Sequence, residues 1–255
     1  MRRAAPALLG LAAVGGLAHA ADAGPLAVEA AVTRERLGGG RADWRAHELL
    51  AHWRGAQGWS AGAALRHTER FGLDDAQVEG DVAWRIAPRW RAEAELAHSG
   101  THRVLPQWRL RSRAWLLDAG GWNLAAGLGR TLYRSAGVQG SSVVELQAER
   151  YAGDFRVAWV GSLTRLDAGG SGGAHTWRFD WYRDERLGLG LLLAAGRELE
   201  NQPGAGVLAL RVRSAALTAR WRVTPEWTLT GELATHRVGE LYERNGLRVG
   251  LRRQF

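Results

Sequence analysis

The sequence predicts an all-β fold, a transmembrane antiparallel up-and-down β-barrel of about fourteen strands. Three features predict it: an N-terminal segment resembling an export signal, a series of strands in which apolar and polar residues alternate, and an aromatic carboxyl terminus. Alternation alone would also suit a soluble β-sandwich, whose apolar faces meet in a core. The other two features, together with the placement of tryptophan, favour the barrel.

The N-terminal segment, residues 1–20, has the pattern of a cleaved secretion signal. Arg2 and Arg3 precede an apolar run, and Ala18 and Ala20 flank His19 in the small-x-small pattern of a cleavage site. We therefore expect a signal peptide over 1–20 and a mature barrel domain over 21–255. The apolar run is too short to span a bilayer as a helix, and no later stretch is long and apolar enough, so no transmembrane helix is expected.

The composition narrows the class of protein further. There is no cysteine, which excludes disulfides and thiolate metal sites. The 34 basic residues are all arginine, against 26 acidic ones, and removal of Arg2 and Arg3 leaves a formal charge of +6. These charges alternate with apolar residues and do not cluster, so we expect no nucleic-acid partner. Arginine's planar fork suits phosphate and carboxylate groups, including those of lipopolysaccharide.

Alternation with a period of two is the dominant pattern. In residues 90–96, Trp90, Ala92, Ala94 and Leu96 share one face of a strand and charged residues occupy the other. Segments of this kind, separated by Gly, Pro, Asp and Asn, predict fourteen strands near 26–36, 42–53, 59–69, 75–86, 90–98, 107–117, 122–133, 140–150, 155–164, 174–182, 187–197, 208–223, 227–237 and 245–255. Twelve strands remain open, because the alternation changes phase within Val207–Val223 and suggests a bulge there.

The turns and the tryptophans predict an orientation. If both termini are periplasmic, the turns on that side are short, whereas Arg134–Gly140, Asp167–Ala174 and Glu198–Gly206 become longer external loops, as is usual in such barrels. Nine of the 13 tryptophans then fall beside periplasmic turns and are expected to form an interfacial girdle. These nine are Trp53, Trp59, Trp84, Trp90, Trp115, Trp122, Trp181, Trp221 and Trp227.

The carboxyl terminus has the pattern of a final transmembrane strand. Leu247, Val249, Leu251, Arg253 and Phe255 share one face of that strand. A last strand that ends in an aromatic residue is what outer-membrane insertion machinery engages, so we predict that Phe255 is an assembly signal and that this machinery is a partner.

Several short motifs, in order, resemble those of the YaiO family of outer-membrane β-barrels over the chain from about Arg41 onward. They are Glu69-Arg70-Phe71-Gly72 followed by Asp75, Ala87-Pro88-Arg89-Trp90, Gly129-Arg130-Thr131 followed by Tyr133, Thr224-Pro225-Glu226-Trp227, and the terminal strand. The resemblance implies an integral outer-membrane barrel and supplies no catalytic residues. The chain departs from the family in its richness in arginine and alanine and its lack of lysine.

No catalytic, cofactor or metal site is expected. The histidines are scattered over different strands, so a metal site would require an unforeseen convergence. His98, Ser99 and His102 lie near the predicted outer rim, but consecutive strand residues point to opposite faces, which disfavours a lipid-enzyme dyad. Glu93 and Glu95 suit salt bridges better than acid/base catalysis. The run 169–173 lacks the lysine and the helix of a phosphate-binding loop and is expected to be a flexible external loop.

The inward face is the main functional candidate, since it carries many charges of both signs. The predicted lumen-lining residues are Arg91, Glu93, Glu95, Arg109, Arg111, Arg113, Arg156, Arg178, Glu232, Arg248 and Arg252. Two interpretations stay open: a water-filled passage biased toward anionic or sugar-like solutes, and a lumen plugged by arginine-glutamate pairs. The matching functions are a small passive channel or a non-conducting structural or envelope-assembly barrel, with a rim-site lipid enzyme less favoured. Outer-membrane lipid and lipopolysaccharide are the expected surroundings of a monomer.

Overall fold

The computed structural model describes residues 25–39, 42–70, 72–134, 139–202, 206–240 and 242–255, and the predicted signal peptide lies outside them. These residues form a closed, antiparallel barrel of fourteen strands with almost no helix, as predicted. The strands are β1 Leu26–Leu37, β2 Trp44–Arg54, β3 Trp59–Arg70, β4 Leu73–Ala87, β5 Trp90–Ser99, β6 Trp108–Leu116, β7 Asn123–Tyr133, β8 Gln139–Ala152, β9 Phe155–Leu166, β10 Ser171–Tyr182, β11 Leu187–Gln202, β12 Gly206–Arg222, β13 Trp227–Val238 and β14 Tyr242–Gln254.

Each strand pairs with its neighbours in sequence, and the barrel closes between β1 and β14. The closing register runs from Ala27 opposite Gln254 to Leu37 opposite Arg244. Closure leaves no strand edge unpaired, which is the condition for a sheet to lie within lipid. Among the described residues no helix is long and apolar enough to cross a bilayer.

The twelve-strand alternative and the bulge suspected within Val207–Val223 are wrong. β12 keeps an unbroken register with β11 and with β13, so its phase change reflects side-chain composition and not an extra backbone residue. The one register shift among the described strand pairs lies between β4 and β5, at Arg85 and Ala87, beside the tight turn to Trp90. A bulge next to a turn bends the strand locally and leaves the rest of the ladder intact.

The two ends of the barrel differ less in loop length than predicted. One end of the barrel, which we call the terminal end, carries the start of β1, the end of β14 and the turns after β2, β4, β6, β8, β10 and β12. We call the opposite end the distal end. At the distal end Ser171–Gly173 already belong to β10, so the glycine-rich run is a turn and a strand start and not a long loop. Glu198–Gln202 likewise continue β11. Antiparallel pairing extends past the expected strand ends because every added residue pair gains ladder hydrogen bonds.

Exposed aromatic side chains surround the terminal end. Eight of the nine predicted tryptophans lie on the outward face there, in cross-strand neighbours such as Trp59 opposite Trp84 and Trp221 opposite Leu187. Trp115 is the exception: it is only 2% exposed, and the Arg91 guanidinium lies 4.8 Å from the centroid of its ring. Trp115 points into the barrel, on the same face of β6 as Arg113. Its nearness to a turn correctly predicted its height along the barrel axis, but it did not predict that the side chain points inward.

Candidate functional site

The outward and inward faces of the barrel differ in chemistry. On β6, the outward side chains Trp108 and Leu110 are 40% and 52% exposed. The arginines that alternate with the outward residues of this strand, Arg109, Arg111 and Arg113, are partly buried. The same alternation recurs around the barrel, with leucine, valine and tryptophan among the exposed side chains. A surface that is apolar outside and charged inside is typical of a barrel that spans lipid around a polar lumen.

Ion pairs tie two inward arginines of β6 to carboxylates on β4, β5 and β8. Arg109 lies between Glu79 at 2.5 Å and Glu95 at 2.8 Å. Arg113 reaches Glu93 at 3.1 Å on the adjacent strand and Glu145, two strands away, at 3.4 Å. A contact between β6 and β8 must pass in front of β7, which is possible because inward residues of β7 are small: Ala125, Gly127 and Gly129.

Arg156 on β9 is the most deeply buried of the predicted lumen residues. Its side chain is 2% exposed and contacts Glu149 at 2.7 Å and Asp180 at 3.0 Å. Arg178 also binds Asp180, at 2.9 Å, and the Asn123 amide donates to Glu149 at 3.1 Å. Every charge in this cluster is compensated by hydrogen bonds, which is the condition under which charges persist in a buried setting.

A third cluster joins the first and last strands. Arg248 donates to Glu29 at 2.8 Å and to Glu48 at 3.1 Å, and Arg252 donates to Glu29 at 3.2 Å. Arg66 completes it with a 2.6 Å bond to Glu48. The cluster therefore spans β14, β1, β2 and β3, and it adds side-chain contacts across the strand pair where the barrel closes.

Two of the predicted lumen residues differ from the others. Among the residues that the structure describes, Arg111 and Glu232 form no ion pair. Arg91 pairs with Glu93 on its own strand at 2.8 Å. The structure thus brings the predicted set together as three paired clusters, with Arg111 left available to interact with something else.

An internal cavity of about 130 Å³ lies between the paired clusters. Its wall presents the guanidinium groups of Arg111, Arg113, Arg156 and Arg178 but a single carboxylate, Glu145. Hydroxyl and amide groups and a small apolar side contributed by β11 and β12 complete the wall, from Gln147, Ser162, Thr176, Ser214, Leu192, Ala194 and Val212. The other carboxylates that pair with these arginines, Glu93, Glu149 and Asp180, do not line the cavity, so N–H donors outnumber carboxylates on its wall.

The loop between β5 and β6 folds inward at the distal end. Val104 and Leu105 are 9% and 6% exposed. Asp75, which is fully buried, accepts hydrogen bonds from the Thr101 hydroxyl and from the backbone N–H groups of Arg103, Val104 and Leu105, at 2.6–2.9 Å. This anchored loop narrows the distal mouth of the lumen, and the sequence analysis did not find it.

The lipid-enzyme hypothesis at the rim is not supported by the positions of its residues. The His98 ring lies on the outer face against Trp108, with centroids 4.0 Å apart, and its Nδ1 bonds the Gln107 carbonyl. Ser99 points inward and accepts a hydrogen bond from the Gln77 amide. His102 bonds the Gly100 carbonyl within the loop. Opposite orientation on one strand keeps His98 and Ser99 apart, as the alternation required.

A serine-histidine contact does exist on the cavity wall, where the sequence did not predict one. The Ser214 hydroxyl is hydrogen-bonded to His236 Nδ1, and both residues are buried. The other ring nitrogen, Nε2, has no hydrogen-bond partner among the described residues, so no carboxylate orients this histidine as a catalytic base. Nor do the described residues contain a group of three or more side chains that could hold a metal ion.

Comparison with known proteins supports the fold. No protein-family model matches the sequence, and no curated protein matches it either. Among solved structures, the CymD monoaromatic hydrocarbon channel aligns with a TM-score of 0.62 at 10% identity, over 92% of this chain and 89% of CymD. The translocator domain of the autotransporter NalP from Neisseria meningitidis aligns at 0.54 and 11% identity, over 92% and 90%.

An anion-selective porin from Comamonas acidovorans aligns with a TM-score of 0.50 at 11% identity, over 90% of this chain and 98% of the porin. Identities this low establish a shared architecture and nothing about transported molecules. The chain therefore has the fold of outer-membrane porins and channels.

Proposed function

We propose that this barrel lies in an outer membrane and forms a narrow passive channel for small anionic or sugar-like solutes. The observation that carries the proposal is the cavity wall, with four guanidinium groups and one carboxylate. A passage lined by positive groups raises the local concentration of anions and disfavours cations. Known channels of the same fold, including one named as anion-selective, are consistent with this kind of function.

Arg111 is the residue on which we expect a passing anion to depend most. Its guanidinium lines the cavity without an ion-pair partner among the described residues, so its N–H groups are available to a solute. The charges of Arg113, Arg156 and Arg178 are largely compensated by the carboxylates with which they pair, and these ion pairs fix the positions of the guanidinium groups. The hydroxyl and amide groups of Ser162, Thr176 and Gln147 would suit the hydroxyls of a sugar-like solute.

Single-channel conductance in planar bilayers tests the proposal. A unit charge about 6 Å from a monovalent anion contributes about 0.7 kcal/mol in water-like surroundings, which corresponds to a roughly threefold change in anion occupancy. The same charge disfavours potassium by a similar factor, so Arg111→Gln should lower the chloride-to-potassium permeability ratio by about tenfold. Arg165→Gln removes an exposed, outward-facing arginine of β9 and is the matched control, with no change expected. Equal effects of the two substitutions would contradict a role for Arg111 in the passage.

A non-conducting structural or envelope-assembly barrel is the second candidate, and two observations favour it. Three ion-pair clusters cross the inward face of the barrel, and the loop anchored by Asp75 narrows the distal mouth. A folded protein that carries no current under any ionic condition, while Asp75→Ala opens a conductance, would favour this alternative.

Further parts of the proposal concern location and assembly. We propose that residues 1–20 are a signal peptide, that both termini are periplasmic, that the exposed Phe255 is read by the insertion machinery, and that the protein is a monomer without enzymatic activity. The short turns at the terminal end, such as the two-residue connections from β4 to β5 and from β8 to β9, support this orientation. Membership in the YaiO family is part of the same proposal and stands on the motifs quoted above.

A further inference from the structure

Four arginines form an exposed patch on the outer wall of the barrel at its distal end. They are Arg197 on β11, Arg211 and Arg213 on β12 and Arg237 on β13, which we call the arginine patch. All four side chains are exposed and face outward. On its strand, each arginine continues the row of outward apolar residues in steps of two; Arg213, for example, lies in one row with Ala215 and Leu217. The patch thus lies where the lipid-facing surface of these strands ends.

The register of the strands places these charges against each other. Arg197 is directly opposite Arg211, and Arg213 is directly opposite Arg237. Side chains directly opposite in an antiparallel pair have Cβ atoms about 5 Å apart, and like charges at such positions destabilise the sheet. None of the four forms an ion pair among the described residues, although Glu243 lies opposite Arg237 in register. An external anion would neutralise this repulsion.

An apolar groove adjoins the patch on the same wall. It has a volume of about 700 Å³ and is lined by Leu191, Ala215, Leu217, Leu233 and Leu247, with Arg34 and Arg36 at its border. Leu217, Leu233 and Leu247 lie opposite one another on β12, β13 and β14 and are 60%, 59% and 50% exposed. The small Ala215 lies beside Leu217 on β12, on the side of Arg213, and leaves a depression next to this bulky row. A groove of this chemistry suits acyl chains.

We propose that the arginine patch and this groove bind one phosphorylated, multiply acylated glycolipid of the lipid A type. Guanidinium groups bind phosphate through paired, charge-assisted hydrogen bonds. Two adjacent arginine pairs match a ligand with two phosphates better than they match a phospholipid with one phosphodiester. The patch lies at the end opposite the tryptophan girdle, which is the external end in the proposed orientation. The inference rests on the proposed outer-membrane location but is independent of solute passage.

Native mass spectrometry of the full mature barrel in detergent, titrated with bis-phosphorylated lipid A, tests this site. The double variant Arg213→Gln, Arg237→Gln should weaken binding about tenfold to a hundredfold, since it removes two charge-assisted contacts. Arg165→Gln is the control: Arg165 is also exposed at the distal end but lies opposite Ser142 and Ser171. Phosphatidylglycerol should compete poorly.

Three outcomes would overturn the proposal: unchanged binding by the double variant, equal weakening by Arg165→Gln, or equal retention of phosphatidylglycerol. If the double variant does not fold, as judged by its heat-modifiable mobility, the double variant Arg197→Gln, Arg211→Gln provides the same comparison. Conductance is measured separately in phosphatidylcholine, so a barrel that binds lipid A but passes no current would contradict the channel and leave this site standing.

Discussion

Loss of Arg156 should cost the barrel more stability than loss of any exposed arginine. The substitution Arg156→Met keeps much of the side-chain volume but removes the cation that pairs with Glu149 and leaves Asp180 with Arg178 alone. Glu149 and Asp180 are 8% and 5% exposed. Removing one partner of a buried ion pair costs about 3–5 kcal/mol, because an uncompensated charge stays buried. The free energy of unfolding should fall by that amount.

Urea unfolding of the refolded barrel in lipid vesicles, followed by tryptophan fluorescence, measures this change. Arg165→Met on the same strand is the matched control, since Arg165 faces outward and should change stability by about 0.5 kcal/mol or less. Adding Glu149→Gln to Arg156→Met should recover part of the loss, because it removes the carboxylate that has lost its cation, whereas Asp180 still pairs with Arg178. Equal costs for Arg156→Met and Arg165→Met would refute the view that the buried cluster holds the wall together.

Three further predictions concern packing, pH and the inward loop. Gly196→Ala should destabilise the barrel by about 1–3 kcal/mol in the same assay, because the new Cβ would lie 2.8 Å from the Gly173 carbonyl oxygen. Gly80→Ala is the control: its new Cβ would meet no atom closer than 3.9 Å, so its stability should not change. Backbone N–H groups of Leu187 and Arg186 hold the pKa of Asp184, in a turn at the terminal end, below its ordinary value. The contribution of the Asp184 carboxylate to stability is therefore complete above about pH 4 and is lost as the pH falls through the folded-state pKa. Asp184→Asn should flatten the acid side of a curve of unfolding free energy against pH. An unchanged acid side would contradict this. Asp75→Ala removes four hydrogen bonds from the inward loop and should increase fluctuations in single-channel current; an unchanged current would show that the loop does not border the passage.

The strand pattern was predictable because it depends on local chemistry. Alternation with turn residues located all fourteen strands, and most predicted ends lie within two or three residues of the observed ones. The errors have one origin, the distal ends of strands, where pairing continues through polar and glycine-rich sequence such as Ser171–Gly173. Polarity predicts where lipid contact stops, but the hydrogen-bonded ladder does not stop there.

The site was predictable only in part, since partners depend on register. Sequence placed Arg109 and Arg113 on the inward face, yet it could not tell that Arg113 reaches past β7 to Glu145. Nor could it tell that Arg111, two residues away, has no ion-pair partner among the residues described by the structure. Ser214 and His236 lie opposite each other only because β12 and β13 pair in a particular register. Asp75 resembles any polar residue at a strand end, and nothing in its local sequence indicates that it anchors a loop about 28 residues later.

The reversal potential of the wild-type barrel under a potassium chloride gradient tests the central claim most directly. An interior whose cavity presents Arg111, Arg113, Arg156 and Arg178 should give a potential with the sign of chloride selectivity and a chloride-to-potassium permeability ratio above one. A ratio below one, or the absence of current from protein shown to be folded in the bilayer, would contradict an anion-favouring passage through this barrel.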